Sequence, residues 1–100
     1  MEIIRLRDQG LRVGGRVRGQ KVHEQIDRAL KASRRVQLDF AGVESVGATF
    51  LDEVLGALVA WHGSAILRSL VFTSCSKGVE ASIVKALRDL APLRGILQFS

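Results

Sequence analysis

The chain of 100 residues has one cysteine, one proline, one tryptophan and no tyrosine. A lone cysteine, Cys75, excludes an internal disulfide and any site built from several thiolates, and it fits a reducing, cytoplasmic setting. Two histidines, His23 and His62, lie far apart in sequence, so no structural zinc site is expected and no metal or cofactor is called. Without tyrosine, and with the four phenylalanines and the tryptophan mostly at core-type positions, there is no aromatic ladder for single-stranded nucleic acid. Long apolar runs are also missing. The longest uncharged stretch, Val54 to Leu67, contains Gly56 and Gly63 and falls short of the ~20 residues a spanning helix needs. The first ten residues, MEIIRLRDQG, show no apolar core behind a basic start, so no leader peptide is expected and no membrane partner is called.

What is present is a globular composition, 47% hydrophobic and 25% charged. A length of 100 residues predicts one domain spanning the whole chain. The formal net charge is +5, and it is unevenly placed. Residues 1–35 hold ten basic and four acidic side chains, 10 − 4 = +6, and residues 36–100 hold five basic and six acidic ones, 5 − 6 = −1. A basic face attracts nucleic acid, anionic lipid or an acidic protein, and it also serves as a plain solvated surface. Arg16, Arg18, Lys21, Arg34 and Arg35 are the candidate anion-binding residues on this reading.

Hydrophobic periodicity divides the chain into short elements. Ile3, Ile4 and Leu6 predict a strand, Asp8-Gln9-Gly10 a turn, and Leu11 to Val13 a returning strand, together an N-terminal hairpin. Val22, Ile26, Ala29 and Leu30 have the i, i+4, i+7, i+8 spacing of an amphipathic helix from about Arg18 to Ser33. Glu24–Arg28 and Asp27–Lys31 are i,i+4 pairs on its exposed side, where His23 is also expected. Val36 to Phe40 reads as a central strand, and Ala41 to Val46 as a loop whose Val43 and Val46 plug the core. A second helix follows, with Thr49 as N-cap and Asp52 three residues on. Phe50, Val54, Ala57, Leu58 and Trp61 form its apolar stripe, which Leu51, Leu55 and Val59 widen. Such a surface predicts burial on two sides, or a partner. Gly63 and Ser64 end it. Leu70 to Thr73 is the next buried strand, and Ser76-Lys77-Gly78 opens a third helix with Val79, Ile83, Leu87 and Leu90 at helical spacing, stopped by Pro92. Ile96 to Phe99 reads as a terminal edge strand. Strands alternating with helices imply a mostly parallel sheet of four to five strands, covered by about three helices.

Gly14 to Lys21 has two glycines at the spacing of a phosphate-binding loop, but Gln20 follows Gly19 where that motif needs lysine, and Val22 replaces the hydroxyl residue. Nucleotide hydrolysis is therefore not expected. Asp52 and Glu53 are adjacent on a helix and point about 100° apart, so they are not a facing acid pair. His23 and His62 have no local nucleophile. Cys75 reads as a small, half-buried apolar side chain. No catalytic set is called, and the chain is expected not to be an enzyme.

The segment Val36 to Leu55, VQLDFAGVESVGATFLDEVL, resembles the signature of STAS domains, the sulfate-transporter and anti-sigma-factor-antagonist fold, and in particular the STAS-like family of unknown function of the DUF4325 type. Asp39-Phe40, Gly42-Val43, Gly47 to Thr49, and Phe50 with Glu53 match in order and spacing. The similarity extends over roughly residues 14–90. It implies an α/β STAS-like fold in which Asp39, Phe40 and Phe50 are structural. It also implies a non-catalytic regulatory module that binds a protein through Gly47, Ala48, Thr49, Asp52 and Glu53. A histidine-kinase-like ATPase or another regulator is the partner the resemblance implies. In anti-sigma antagonists the corresponding turn is phosphorylated on its first hydroxyl. Ala48 stands there in this chain, which leaves Thr49 as the candidate phosphosite. Self-association through the second helix is a further expectation, and an anion or nucleic-acid binder using the basic N-terminal third is the alternative.

Overall fold

A computed structural model describes residues 1–88, 90 and 99. The elements are β1 (Glu2–Arg5), β2 (Arg12–Val13), α1 (Arg16–Ala32), β3 (Val36–Asp39), β4 (Ser45–Val46), α2 (Ala48–Leu51), α3 (Ala57–His62), β5 (Leu70–Thr73) and α4 (Lys77–Arg88). The strands form two sheets, one of order β1-β3-β5 and a smaller one of β2 and β4, and every ladder is parallel. The architecture is α/β, as the alternation of strand and helix periods predicts.

The N-terminal hairpin is not there. Leu6–Gln9 coils into a 3-10 turn with Leu6 buried. The chain then crosses to the smaller sheet, where β2 pairs with β4 and not with β1. Burying Leu6 redirects the backbone away from a tight reversal. Only Gly10, at φ 124, absorbs the bend. The expected sheet of four to five strands is accordingly split into three and two. The segment read as a loop before the second helix contains β4, while Val43 and Val46 fill the core as expected. Of the terminal strand, Phe99 makes a parallel bridge to Phe72. The rest of that expected strand, and the stop at Pro92, lie outside the described residues.

β3 alternates as a half-buried strand requires, whereas in β5 Leu70, Val71 and Phe72 are all buried. Val36, Leu38, Leu70 and Phe72 point into the core, and Gln37, Asp39 and Thr73 point to the other face. Gln37 Nε2 donates to Thr73 Oγ1 across that face at 3.0 Å. Val22 and Ile26 of α1 and Val79, Ile83 and Leu87 of α4 join the core. Ser76 caps α4 by accepting the Val79 N–H at 3.1 Å.

Between α2 and α3 lies a π turn, Asp52–Gly56. Its junctions keep helical dihedrals, with φ near −62° and ψ near −42° at Asp52 and Gly56. Residues 48–62 are therefore one continuous helical rod. The widened turn takes up an extra residue and slips the phase of everything after it by about 100°. This is why Trp61, expected on the buried stripe with Phe50, is 79% exposed. Phe50, Leu51, Val54, Leu55 and Leu58 are all buried. The rod is walled on one side by α1 and contacts α4 on another. Most of its wide apolar surface is packed inside the molecule, and Trp61 is its large apolar side chain that stays exposed.

The rod and α1 run side by side in the same direction: Arg16 meets Glu53 near their starts, and Asp27 meets His62 near their ends. Gly19 sets their separation. A Cβ there would fall 2.6 Å from the Glu53 Cβ and 3.0 Å from the Phe50 carbonyl oxygen. Gly19→Ala should therefore cost about 1–3 kcal/mol as an overpacking change. Gly14→Ala, with nothing within 4 Å of the added methyl, should stay within about 0.5 kcal/mol of wild type. Urea unfolding of the two variants checks this, and equal midpoints would refute the close approach.

Candidate functional site

Val13 and Val46 are in register on the paired strands β2 and β4. Each strand is followed within three residues by a helix, so α1 and α2 start beside each other. The Gly47 N–H donates to the Val13 carbonyl at 2.8 Å, and a Cβ on Gly47 would sit 3.4 Å from the Gly14 Cα. The two segments singled out in the sequence, the Gly14-Gly15-Arg16 loop and the Gly47-Ala48-Thr49 turn, are thus brought together.

The bond from Gly47 to Val13 fixes where the helix begins. Gly47 is the N-cap, at φ −80 and ψ 150, and the cap has no side-chain hydrogen bond. Thr49 is therefore not the N-cap. It lies one residue inside the helix, exposed. The tertiary backbone bond outweighs the side-chain cap that the spacing suggested, and no capping box forms with Asp52.

The five predicted partner-binding residues divide by role. Ala48, Thr49 and Asp52 are exposed. Gly47 is half-buried and committed to β2. Glu53 is half-buried, and its Oε1 lies 3.1 Å from Arg16 Nε. Two of the exposed three, Ala48 and Asp52, line an open cleft of about 260 Å³ with Val46 and Leu51, facing Ser82, Lys85 and Ala86 of α4; Thr49 is not part of its lining. Those α4 residues were not found in the sequence. The buried spacing of Val79, Ile83 and Leu87 marks them as flanking positions, but nothing local says which element they would face.

Asp39 braces the neighbouring loop as expected. Its Oδ1 accepts the Ala41 N–H at 2.9 Å. Phe40 is buried, donates its N–H to the Thr73 carbonyl at 2.9 Å, and packs on Phe72 with ring centroids 6.4 Å apart. Phe50 is 1% exposed at the front of the rod.

The candidate anion-binding residues do not converge. Arg16, Arg18 and Lys21 are exposed on the first half of α1, with Arg16 held by Glu53. Arg34 and Arg35 lie beyond its far end, and the 17 residues of α1 put about 25 Å between the two groups. Arg34 shares a groove with Asp27, Lys31, His62 and Ser69.

The histidines depart from the sequence reading. His62 Nε2 is 2.9 Å from Asp27 Oδ1, a bond between α3 and α1. It takes Asp27, which the i,i+4 pattern had given to Lys31. His23 is half-buried, not on a solvated face, and its Nε2 is shielded from solvent without a hydrogen bond. The bond to His62 holds the Asp27 carboxyl below its ordinary range, with smaller contributions from the charges of His23, His62 and Lys31. A depressed carboxyl stabilises the fold above its unfolded value, and that contribution is lost as pH falls through the folded value. Both groups are about 40% exposed, so His62→Ala should cost under about 1 kcal/mol near neutral pH. In the variant the Asp27 carboxyl should return toward the ordinary range in an NMR titration. An unmoved Asp27 would show that the bond is absent in solution.

Burial raises the Cys75 thiol to about 11, assisted by the negative charges of Glu80 and Asp39. Only the thiolate is nucleophilic, so Cys75 should react slowly with a thiol-labelling disulfide at pH 8 in the folded chain and rapidly after unfolding. Equal rates would contradict the placement. Among the described residues, no group of three or more His, Cys, Asp and Glu side chains is placed to hold a metal ion, and no helix is long and apolar enough to cross a membrane.

A family model described as a STAS-like domain of unknown function (DUF4325) matches residues 18–80. The chain belongs to this family. The matched span takes in α1 from Arg18 onward, the Asp39-Phe40 strand end, the Gly47 to Thr49 turn and the whole rod. Neither the curated proteins nor the solved structures gave a significant match to the chain.

Proposed function

We propose that this STAS-like domain is a non-catalytic regulatory module that binds a partner protein at the start of the rod. The observation that carries the reading is that Ala48 and Asp52 line a cleft shared with α4, with Thr49 exposed between them in sequence, while their neighbours Gly47 and Glu53 are tied into the fold. Ala48 is small, Thr49 has a hydroxyl the helix does not use as a cap, and Asp52 faces a cleft that also carries Lys85. Charges of both signs around an apolar floor of Val46, Leu51 and Ala86 suit a protein surface, where rim charges steer and apolar contacts hold. The family resemblance adds a histidine-kinase-like ATPase as the partner class, and makes Thr49 the hydroxyl that phosphorylation would use. A phosphate there would place about two negative charges at a helix start, next to Asp52.

The basic residues support nucleic-acid binding less well, because they lie in two groups at opposite ends of α1. The two readings separate cleanly in one experiment. Ala48→Arg/Asp52→Lys, with an unchanged circular dichroism melt, should weaken capture of the purified ATPase partner at least about tenfold, a loss of ~1.4 kcal/mol. Glu53 is left intact because it holds Arg16. Capture equal to wild type would exclude this surface. Binding to duplex DNA that falls log-linearly with salt would favour the basic residues instead.

A further inference from the structure

We infer that the outer edge of β1 is a self-association surface, at which a second copy of this chain adds its own β1 antiparallel to extend the three-stranded sheet to six. In the order β1-β3-β5, β1 is an edge, and among the described residues no strand pairs with its outer side. The opposite edge, β5, carries the bridge to Phe99. An unpaired edge presents a row of free N–H and C=O groups, and proteins guard such edges with proline, bulges or a covering element. Among the described residues β1 has none of these; its guards are its four-residue length and the charges of Glu2 and Arg5 at its ends. Its middle is Ile3-Ile4, and the apolar side chains beside it are uncovered, with Met1 65% and Ile3 47% exposed.

The edge also has room. All four residues of β1 line an open groove of about 420 Å³, whose further walls are Asp8 and Gln9 from the turn and Gln25, Arg28, Ala29 and Ala32 from α1. Alanines at the floor leave space for an added strand. The charges in this groove select the occupant. Glu2 and Asp8 balance Arg5 and Arg28, so the groove is neutral on a chain of net charge +5. A patch with equal numbers of both signs complements itself, which a two-fold interface requires.

The register follows from geometry. A two-fold axis normal to the sheet keeps each side chain on its own face, so only residues of equal parity pair across it. Centring on the exposed Ile3 sets Ile3 against Ile3 of the second copy, Met1 beside its Arg5, and Glu2 over its Ile4, next to the groove wall that carries Arg28. Glu2 and Arg5 fall on opposite faces in this register, so the charge that complements Glu2 is Arg28 of the groove wall. Both exposed apolar side chains of the edge are covered in this arrangement.

The test is sedimentation of the purified full chain over a concentration series up to about 1 mM, with two variants. Wild type should pass from monomer to dimer. Ile3→Lys places like charges directly opposite and should weaken the dimer at least about tenfold. Ile3→Cys should form a disulfide-linked dimer on mild oxidation, because residues directly opposite lie within cross-linking reach, while Ala65→Cys, at an exposed position away from the edge, should not. Cys75, with its thiol raised to about 11, leaves the background low. A chain that stays monomeric throughout, or a dimer in which Ile3→Cys does not cross-link, would overturn the proposal. The cross-link stands as its measure even if Ile3→Lys fails to fold.

Discussion

The rest of the molecule depends on how closely two parallel helices approach. α1 and the rod of residues 48–62 lie side by side, and Gly19 lets the Phe50 backbone and the Glu53 side chain come to its own backbone. That approach places Phe50, Val54 and Leu58 over the sheet and puts Glu53 within reach of Arg16. The β2–β4 ladder fixes the same pair at its start, through the bond from Gly47 to Val13. A sheet of only two residue pairs is too short to contribute much stability alone. Its role here is positional, since it sets two helix starts at one level.

The candidate site is a by-product of that geometry. Once Gly47 is committed to β2, Glu53 to Arg16, and Phe50 and Leu51 to the core, Ala48, Thr49 and Asp52 are left facing outward. The division of labour runs along the turn: backbone and carboxylate hold the fold, and a methyl, a hydroxyl and a second carboxylate meet solvent. The cleft with α4 follows because α4 packs its Val79, Ile83 and Leu87 face against the same core, bringing its flanking Ser82, Lys85 and Ala86 opposite α2.

Local patterns in the sequence were enough for much of this. The spacing of Val22 and Ile26 located α1, the Leu70 to Thr73 run located β5, and Asp39 was read as the brace of its loop. What local pattern could not supply was pairing and phase. The N-terminal hairpin looked sound because a turn signal separated two apolar runs, yet Leu6 is buried and β2 belongs to another sheet. Trp61 looked buried because a regular helix would bring it back under Phe50. Periodicity cannot report a π turn, which spends one residue without changing the composition. The capping error at Thr49 has the same origin, since the bond that decides the helix start comes from Val13, more than thirty residues upstream. His62 and Asp27 are similarly distant, and neither residue's own neighbourhood announces the other.

Parallel helices have an electrostatic consequence. Each helix start leaves its first N–H groups without intrahelical partners and carries a partial positive charge. Two such poles lie next to each other here, and the first turn of α1 contains no acid to balance its own. Glu53, in the second turn of the rod, packs against Gly19 of α1 and pairs with Arg16, the first residue of α1. A single carboxylate thus ties the two helices together near their starts. A change of charge at position 53 would be felt by α1 and the rod together, which couples the electrostatics of the basic N-terminal third to those of the acidic central turn.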